Sequence, residues 1–152
     1  MLKYTDTEVV FDEVPNEITL AINISNCPFH CQGCHSPELW EDIGDVLDRK
    51  SLSILLTKNR GISCVSFMGG DKSSELINDL ASFIKETFPK LKISWYSGRD
   101  RLSENISLDN FDYIKLGPYI ESLGGLDKKT TNQRFYKVLE NKLIDITNLF
   151  WK

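Results

Sequence analysis

Hydrophobic positions recur along the chain with two different periods, and the switches between them mark the elements. Lys3 to Phe11 is rich in β-formers (Tyr4, Thr5, Thr7, Val9, Val10, Phe11) and reads as a strand. A turn signal follows at Pro15-Asn16. Ile18 to Ile24 then alternates, placing Ile18, Leu20, Ile22 and Ile24 on one face of a second strand. After the next loop, Ser36-Pro37-Glu38 has the form of a helix start, with Ser36 as N-cap and Pro37 at the first helical position. Leu52, Leu55 and Leu56 predict a helix over Arg49–Lys58, ended by Gly61. Ser63–Met68 returns to the strand pattern. Ser73–Phe88 carries Leu76, Ile77, Leu80, Phe83 and Ile84 at helical spacing and is stopped by Pro89. Leu91–Tyr96 and Asp112–Leu116 read as strands.

Alternation of strands with helices predicts an α/β fold with a mostly parallel sheet and covering helices. A full eight-fold barrel needs about 250 residues, and the chain has 152. The expectation is therefore an open, partial (β/α) barrel. No repeat, low-complexity tract or long linker interrupts it, so residues 1–152 read as a single domain. In such sheets ligands bind outside the carboxyl ends of the strands. Three unusual loops fall at such ends: a cysteine-rich loop after Ile24, Gly69-Gly70-Asp71 after Met68, and Ser97-Gly98-Arg99 after Tyr96. If the strands are parallel, all three share one edge.

Composition narrows the setting. Hydrophobic residues make up 41% and charged residues 26% of the chain, ordinary values for a soluble globular protein with a real core. No apolar run approaches the roughly 20 residues of a membrane span. The start, Met1-Leu2-Lys3-Tyr4-Thr5-Asp6, lacks the basic and apolar segments of a signal peptide, so a cytoplasmic location is expected. The net charge of −4 and the absence of a Lys/Arg-rich run give nucleic-acid binding no electrostatic support. In that compartment the four cysteines read as thiols. Cys64, among alternating apolar and small polar residues, reads as a small buried hydrophobe and not as a ligand.

The other three cysteines crowd into Asn26-Cys27-Pro28-Phe29-His30-Cys31-Gln32-Gly33-Cys34-His35, a C-x3-C-x2-C spacing. Three thiolates on one loop can hold an iron–sulfur cluster and leave one iron without a protein ligand. Structural zinc is the first competitor, with His30 or His35 completing a Cys3His set. Zinc ligands usually come as separated pairs, however, and a closed zinc site leaves the convergence of the other loops unused. A redox dithiol at Cys31-Gln32-Gly33-Cys34 is the second, and it leaves Cys27 without a role. The loop by itself does not exclude zinc. Phe29 reads as a packing residue under the loop, and His30 and His35 as polar loop residues. Gly33 either lets backbone approach a ligand closely or takes up positive φ.

A C-x3-C-x2-C loop after a strand, followed by a Gly-Gly-Asp loop after a later strand, resembles the radical S-adenosylmethionine superfamily. Within it, three strings are similar to the activating proteins of anaerobic (class III) ribonucleoside-triphosphate reductases: Cys31-Gln32-Gly33-Cys34-His35-Ser36, Met68-Gly69-Gly70-Asp71 and Thr131-Asn132-Gln133-Arg134. The resemblance runs from about Ile18 to Val138. Gly33 stands where the superfamily usually has an aromatic residue, and Asp71 where it has glutamate; both substitutions are common in the activating proteins. Lys115-Leu116-Gly117-Pro118-Tyr119 aligns only loosely and is assigned no chemistry.

The resemblance implies a set of roles. Cys27, Cys31 and Cys34 would hold three irons of a 4Fe–4S cluster, and the amino and carboxylate groups of S-adenosylmethionine would chelate the fourth. Backbone from Gly33 through Cys34 to His35 would contact the adenine. Gly69 and Gly70 would let backbone approach the methionine moiety. Asp71 would accept a hydrogen bond from its ammonium, or else cap the following helix. Ser97 would meet the ribose or the carboxylate, or else serve as a turn residue before Gly98. No catalytic side chain beyond the cluster ligands is implied. The implied activity is reductive cleavage of S-adenosylmethionine to a 5′-deoxyadenosyl radical, which installs a glycyl radical on the large subunit of the reductase. A flavodoxin-type reductant would supply the electron. The alternatives are an activase of another glycyl-radical enzyme, a small radical enzyme acting on a metabolite, and a non-catalytic zinc-binding module.

Overall fold

A computed structural model describes residues 1–29 and 37–152. Its centre is four parallel strands: β2 (Thr19–Ile24), β4 (Cys64–Met68), β5 (Lys92–Tyr96) and β6 (Tyr113–Leu116). Antiparallel strands flank them on both sides. β1 (Lys3–Val10) pairs with β2 and carries the two-residue β3 (Asp45–Val46) outside it; β7 (Arg134–Leu139) pairs with β6 and carries β8 (Lys142–Asp145). The order across the sheet is β3-β1-β2-β4-β5-β6-β7-β8.

This corrects the expected fold class. Among the described residues the chain forms a mixed eight-stranded sheet with two α-helices, not a mostly parallel partial (β/α) barrel. Four of the seven strand pairings are antiparallel. The physical reasons lie in the connections. A two-residue turn, Glu140-Asn141, folds the chain back as a hairpin, and a turn this short joins only antiparallel strands. The β5-to-β6 crossover carries no α-helix, only a long loop and a single 3-10 turn at Leu108–Asn110.

Helices α1 (Arg49–Lys58) and α2 (Ser74–Thr87) cover one face of the parallel strands. Asp48 starts α1 with a capping box: its side chain accepts from the Ser51 N–H, and the Ser51 hydroxyl accepts from the Asp48 N–H at 2.9 Å. Leu52 and Leu56 from α1, and Ile77, Leu80, Ala81 and Ile84 from α2, pack on Leu20, Ile22, Val65, Phe67, Ile93, Trp95 and Ile114. The opposite face is covered too, by Val14, Phe135 and Phe150 over Cys64 and Tyr113. Burial on both faces is why Thr19 and Ala21 are as inaccessible as Leu20 and Ile22. Ile18, expected in β2, lies just before it and is 43% exposed. The expected helix after Ser36 is a 3-10 turn, Pro37–Trp40, and Ser36 itself lies outside the described residues.

Candidate functional site

The register aligns three strand ends. Asn23 of β2 pairs with Met68 of β4, and Met68 pairs with Tyr96 of β5. The segments that follow these strands therefore leave the sheet side by side: Ser25 to Phe29, Gly69-Gly70-Asp71, and Ser97-Gly98-Arg99. Cys27 is half-buried, and its backbone N–H donates to the Leu39 carbonyl at 2.8 Å, while the Asn26 N–H donates to Glu41 at 2.8 Å. Asn26 takes a left-handed φ of 63°, and its side-chain oxygen accepts from Lys72 Nζ at 3.4 Å. Cys31, Gly33, Cys34 and His35 lie outside the described residues.

The Gly-Gly-Asp segment is a tight backbone turn. Gly69 and Gly70 have φ of 113° and 89°, conformations that L side chains rarely adopt. The Gly69 N–H donates to Tyr96 O at 3.0 Å, and Trp95 Nε1 donates to Gly69 O at 2.7 Å. A Cβ on Gly69 would stand 3.3 Å from the Ile24 carbonyl oxygen, and one on Gly70 only 2.7 Å from Ile77 Cδ1 of α2. Local packing thus accounts for both glycines.

Asp71 does not cap α2: the residue before the helix is Ser73, and it makes no side-chain cap. The Asp71 carboxylate, 3% exposed, is held by the neighbouring loop. The Ser97 hydroxyl donates to one oxygen, and the Gly98 N–H donates to the other at 3.0 Å. Ser97 is fully buried, and its Oγ also accepts from the Arg99 N–H at 3.1 Å. The structure therefore brings Asp71 and Ser97 into contact with each other. Arg99, half exposed, donates from Nη2 to the Asp71 carbonyl at 3.3 Å.

Sequence reasoning passed over Lys115, which is buried on β6. Its Nζ donates to Ser97 O at 3.1 Å and Gly117 O at 2.6 Å and lies 5.9 Å from the centre of the Tyr96 ring. It fastens the carboxyl ends of β5 and β6 together. A lysine within an otherwise apolar strand was the available signal. The Thr131–Arg134 string and the Gly117-Pro118 turn pack on one another: Asn132 Nδ2 donates to Pro118 O at 3.0 Å, and a Cβ on Gly117 would stand 3.1 Å from the Gln133 Cα.

An open cleft of about 800 Å³ lies where these segments meet, bounded by Phe29, Asp71, Lys72, Gly98, Arg99 and Pro118 among others. Among the described residues no three His, Cys, Asp or Glu side chains converge as a metal site. The donor set that suits iron is the Cys27, Cys31 and Cys34 series, of which only Cys27 is described. Soft thiolates fit an iron–sulfur cluster, and Cys27, half-buried just after the end of β2 and two residues before the cleft-lining Phe29, is consistent with that use. Cys64 is not: it is wholly buried within β4, and burial pushes its thiol pKa up to about 12, so it stays protonated.

The family model for a 4Fe-4S single cluster domain matches residues 18–139. The chain belongs to this 4Fe-4S single cluster domain family. The matched span of the cluster domain begins one residue before β2, ends at the last residue of β7 and contains all four cysteines. No curated protein and no solved structure matches the chain. Among the described residues of this cluster domain, no helix is long and apolar enough to cross a membrane.

Proposed function

We propose that this 4Fe–4S domain is an oxidoreductase that binds S-adenosylmethionine and cleaves it reductively, and that its target is a glycine of the large subunit of an anaerobic ribonucleoside-triphosphate reductase. The observation that carries the reading is the alignment of three parallel strand ends. It brings the start of the cysteine loop, the Gly69-Gly70-Asp71 turn and the Ser97-Gly98-Arg99 loop to one cleft. Cys27, Cys31 and Cys34 would hold the cluster, leaving one iron for the amino acid end of S-adenosylmethionine. When bound, the cluster supplies one electron at low potential to the sulfonium.

The chain's own residues supply placement. Asp71, at the end of the Gly69–Asp71 turn, and Gly98 line one wall of the cleft, and the hydrogen bonds of Asp71 to Ser97 and Gly98 keep that wall rigid. Arg99 stands on the same wall with a guanidinium whose planar fork suits a carboxylate. Lys115 holds the β5 loop from behind. A flavodoxin-type protein is the proposed electron donor.

Anaerobic reconstitution with iron and sulfide, followed by S-adenosylmethionine and a strong reductant, tests the first half. Methionine and 5′-deoxyadenosine in equal amounts are expected. Colourless protein that retains zinc in place of iron would overturn it. Adding the reductase tests the second half, and a glycyl-radical doublet in the EPR spectrum is the expected result. Cleavage of S-adenosylmethionine without that doublet would leave the activity and reject the partner.

A further inference from the structure

The segment that begins the cysteine loop touches the β5 loop through Phe29, and the contact explains a glycine that backbone conformation does not. Gly98 lies outside the left-handed region, so its backbone would accept any L residue. Space is what forbids a side chain there. A Cβ on Gly98 would stand 2.6 Å from Cδ2 and 2.8 Å from Cε2 of Phe29, against an optimal carbon–carbon separation of about 3.5–4.0 Å. The ring of Phe29 thus rests on the bare Cα of Gly98. Phe29 is the second residue after Cys27 and the second before Cys31.

The seat itself is held from three sides. The Gly98 N–H is donated to the Asp71 carboxylate, the preceding Ser97 N–H to Lys115 O at 2.9 Å, and the Gly117 N–H to Arg99 O at 2.6 Å. Asp71 is buried, so the acceptor side of this anchor is shielded from water. A loop that must present three thiolates at once loses conformational entropy when it does so, and a side chain docked on a rigid seat has already accepted part of that loss.

We propose that Phe29 is a positioning residue for the cluster: its ring, seated on Gly98, holds the segment that follows Cys27 at the cleft. The proposal rests on the iron–sulfur half of the function above and is independent of S-adenosylmethionine. The Gly98–Phe29 contact also joins the cysteine loop to Asp71, so the cluster loop and the Gly-Gly-Asp turn share one support.

The test uses the full chain, reconstituted anaerobically, with Phe29→Ala, Phe29→Leu, Gly98→Ala and the Phe29→Ala/Gly98→Ala double variant. Iron content, the EPR spectrum of the reduced cluster, the rate of iron loss to a chelator and the thermal unfolding midpoint are measured on each. Phe29→Ala is expected to release iron about tenfold faster than wild type, a difference of about 1.4 kcal/mol, with its unfolding midpoint little changed. Phe29→Leu should recover much of the loss. Gly98→Ala should release iron at least as fast as Phe29→Ala and shift the EPR spectrum. Adding Gly98→Ala to Phe29→Ala should do nothing further, because the new methyl group then meets no ring. The proposal fails if Phe29→Ala holds iron as wild type does, or if Gly98→Ala harms the two backgrounds equally. Should Gly98→Ala not fold, Phe29→Ala decides alone. Wild-type protein that takes up no iron would remove both this proposal and the function it rests on.

Discussion

The Asp71 carboxylate, itself buried, accepts hydrogen bonds from two donors, the fully buried Ser97 hydroxyl and the part-buried Gly98 N–H. Asp71→Ala leaves both of them without that acceptor. The expected loss of folding stability is about 1–3 kcal/mol for the buried Ser97 hydroxyl and less for the Gly98 N–H, read by chemical denaturation of the cluster-free protein. The thiols divide sharply. Cys27→Ala, Cys31→Ala and Cys34→Ala should each lose the cluster, measured as iron and as absorbance near 400 nm, while Cys64→Ala keeps it. The Cys64 thiol also sets a pH limit. Its pKa rises from 9.0 to about 12 on folding because burial disfavours the thiolate, and Tyr113 on the same face rises to about 12 for the same reason. A group raised in this way contributes its full stability below its unfolded pKa. Above about pH 9 the unfolded chain sheds a proton that the folded chain keeps, so stability falls as pH rises towards 12. A thermal midpoint that declines over that window in wild type, and less steeply in Cys64→Ala, is the expected outcome. The inertness of Cys64 was legible from its alternating neighbours. The reason for Gly98 was not, because it is a ring from Phe29 that no local pattern connects to it.

The best-read elements were those with a strong internal period. α2 was expected over Ser73–Phe88 and occupies Ser74–Thr87, with Ile77, Leu80 and Ile84 inward as the spacing required. The turn ahead of it shows how an element constrains a site. Gly70 has φ of 89°, and its missing Cβ leaves room for Ile77 of α2. Gly70→Ala should therefore destabilise the fold by about 1–3 kcal/mol through strain and overpacking. Gly61→Ala, at φ of 91° but with nothing within 4 Å of the added methyl, should cost less. Comparing the two unfolding midpoints separates the packing part from the backbone part. A loss of cofactor affinity in a Gly70 variant thus has to be read against its loss of stability. The β7–β8 hairpin carried a signal that was passed over. Phe135, Tyr136 and Val138 precede the Glu140-Asn141 turn, Leu143 and Ile144 follow it, and both turn residues have positive φ. Its strands are short and half-exposed, so no clean alternation announced them.

Over the whole molecule, two apolar layers clamp the parallel strands, and the second depends on a strand outside that centre. Phe135 of β7 is fully buried and meets Tyr96, Tyr113 and Phe150 with ring centres 5.9, 5.8 and 4.8 Å away. Phe135→Ala should cost about 3–5 kcal/mol, measured by denaturant unfolding, and should loosen the face of the sheet on which Lys115 lies. Local pattern alone was enough for the central strands, both α-helices and the cysteine spacing, because periodicity and motif spacing are written within a few residues of chain. It also placed three unusual segments after strands, although only the shared register of β2, β4 and β5 brings those segments to one cleft. The direction of the outer strands was decided in the tertiary structure, where a two-residue turn and a crossover without an α-helix displaced the expected barrel. So were the Asp71–Ser97 contact, the Lys115 fastening and the seat of Phe29 on Gly98. Each joins residues far apart in sequence, and a contact of that kind leaves no local trace until the chain has closed upon it.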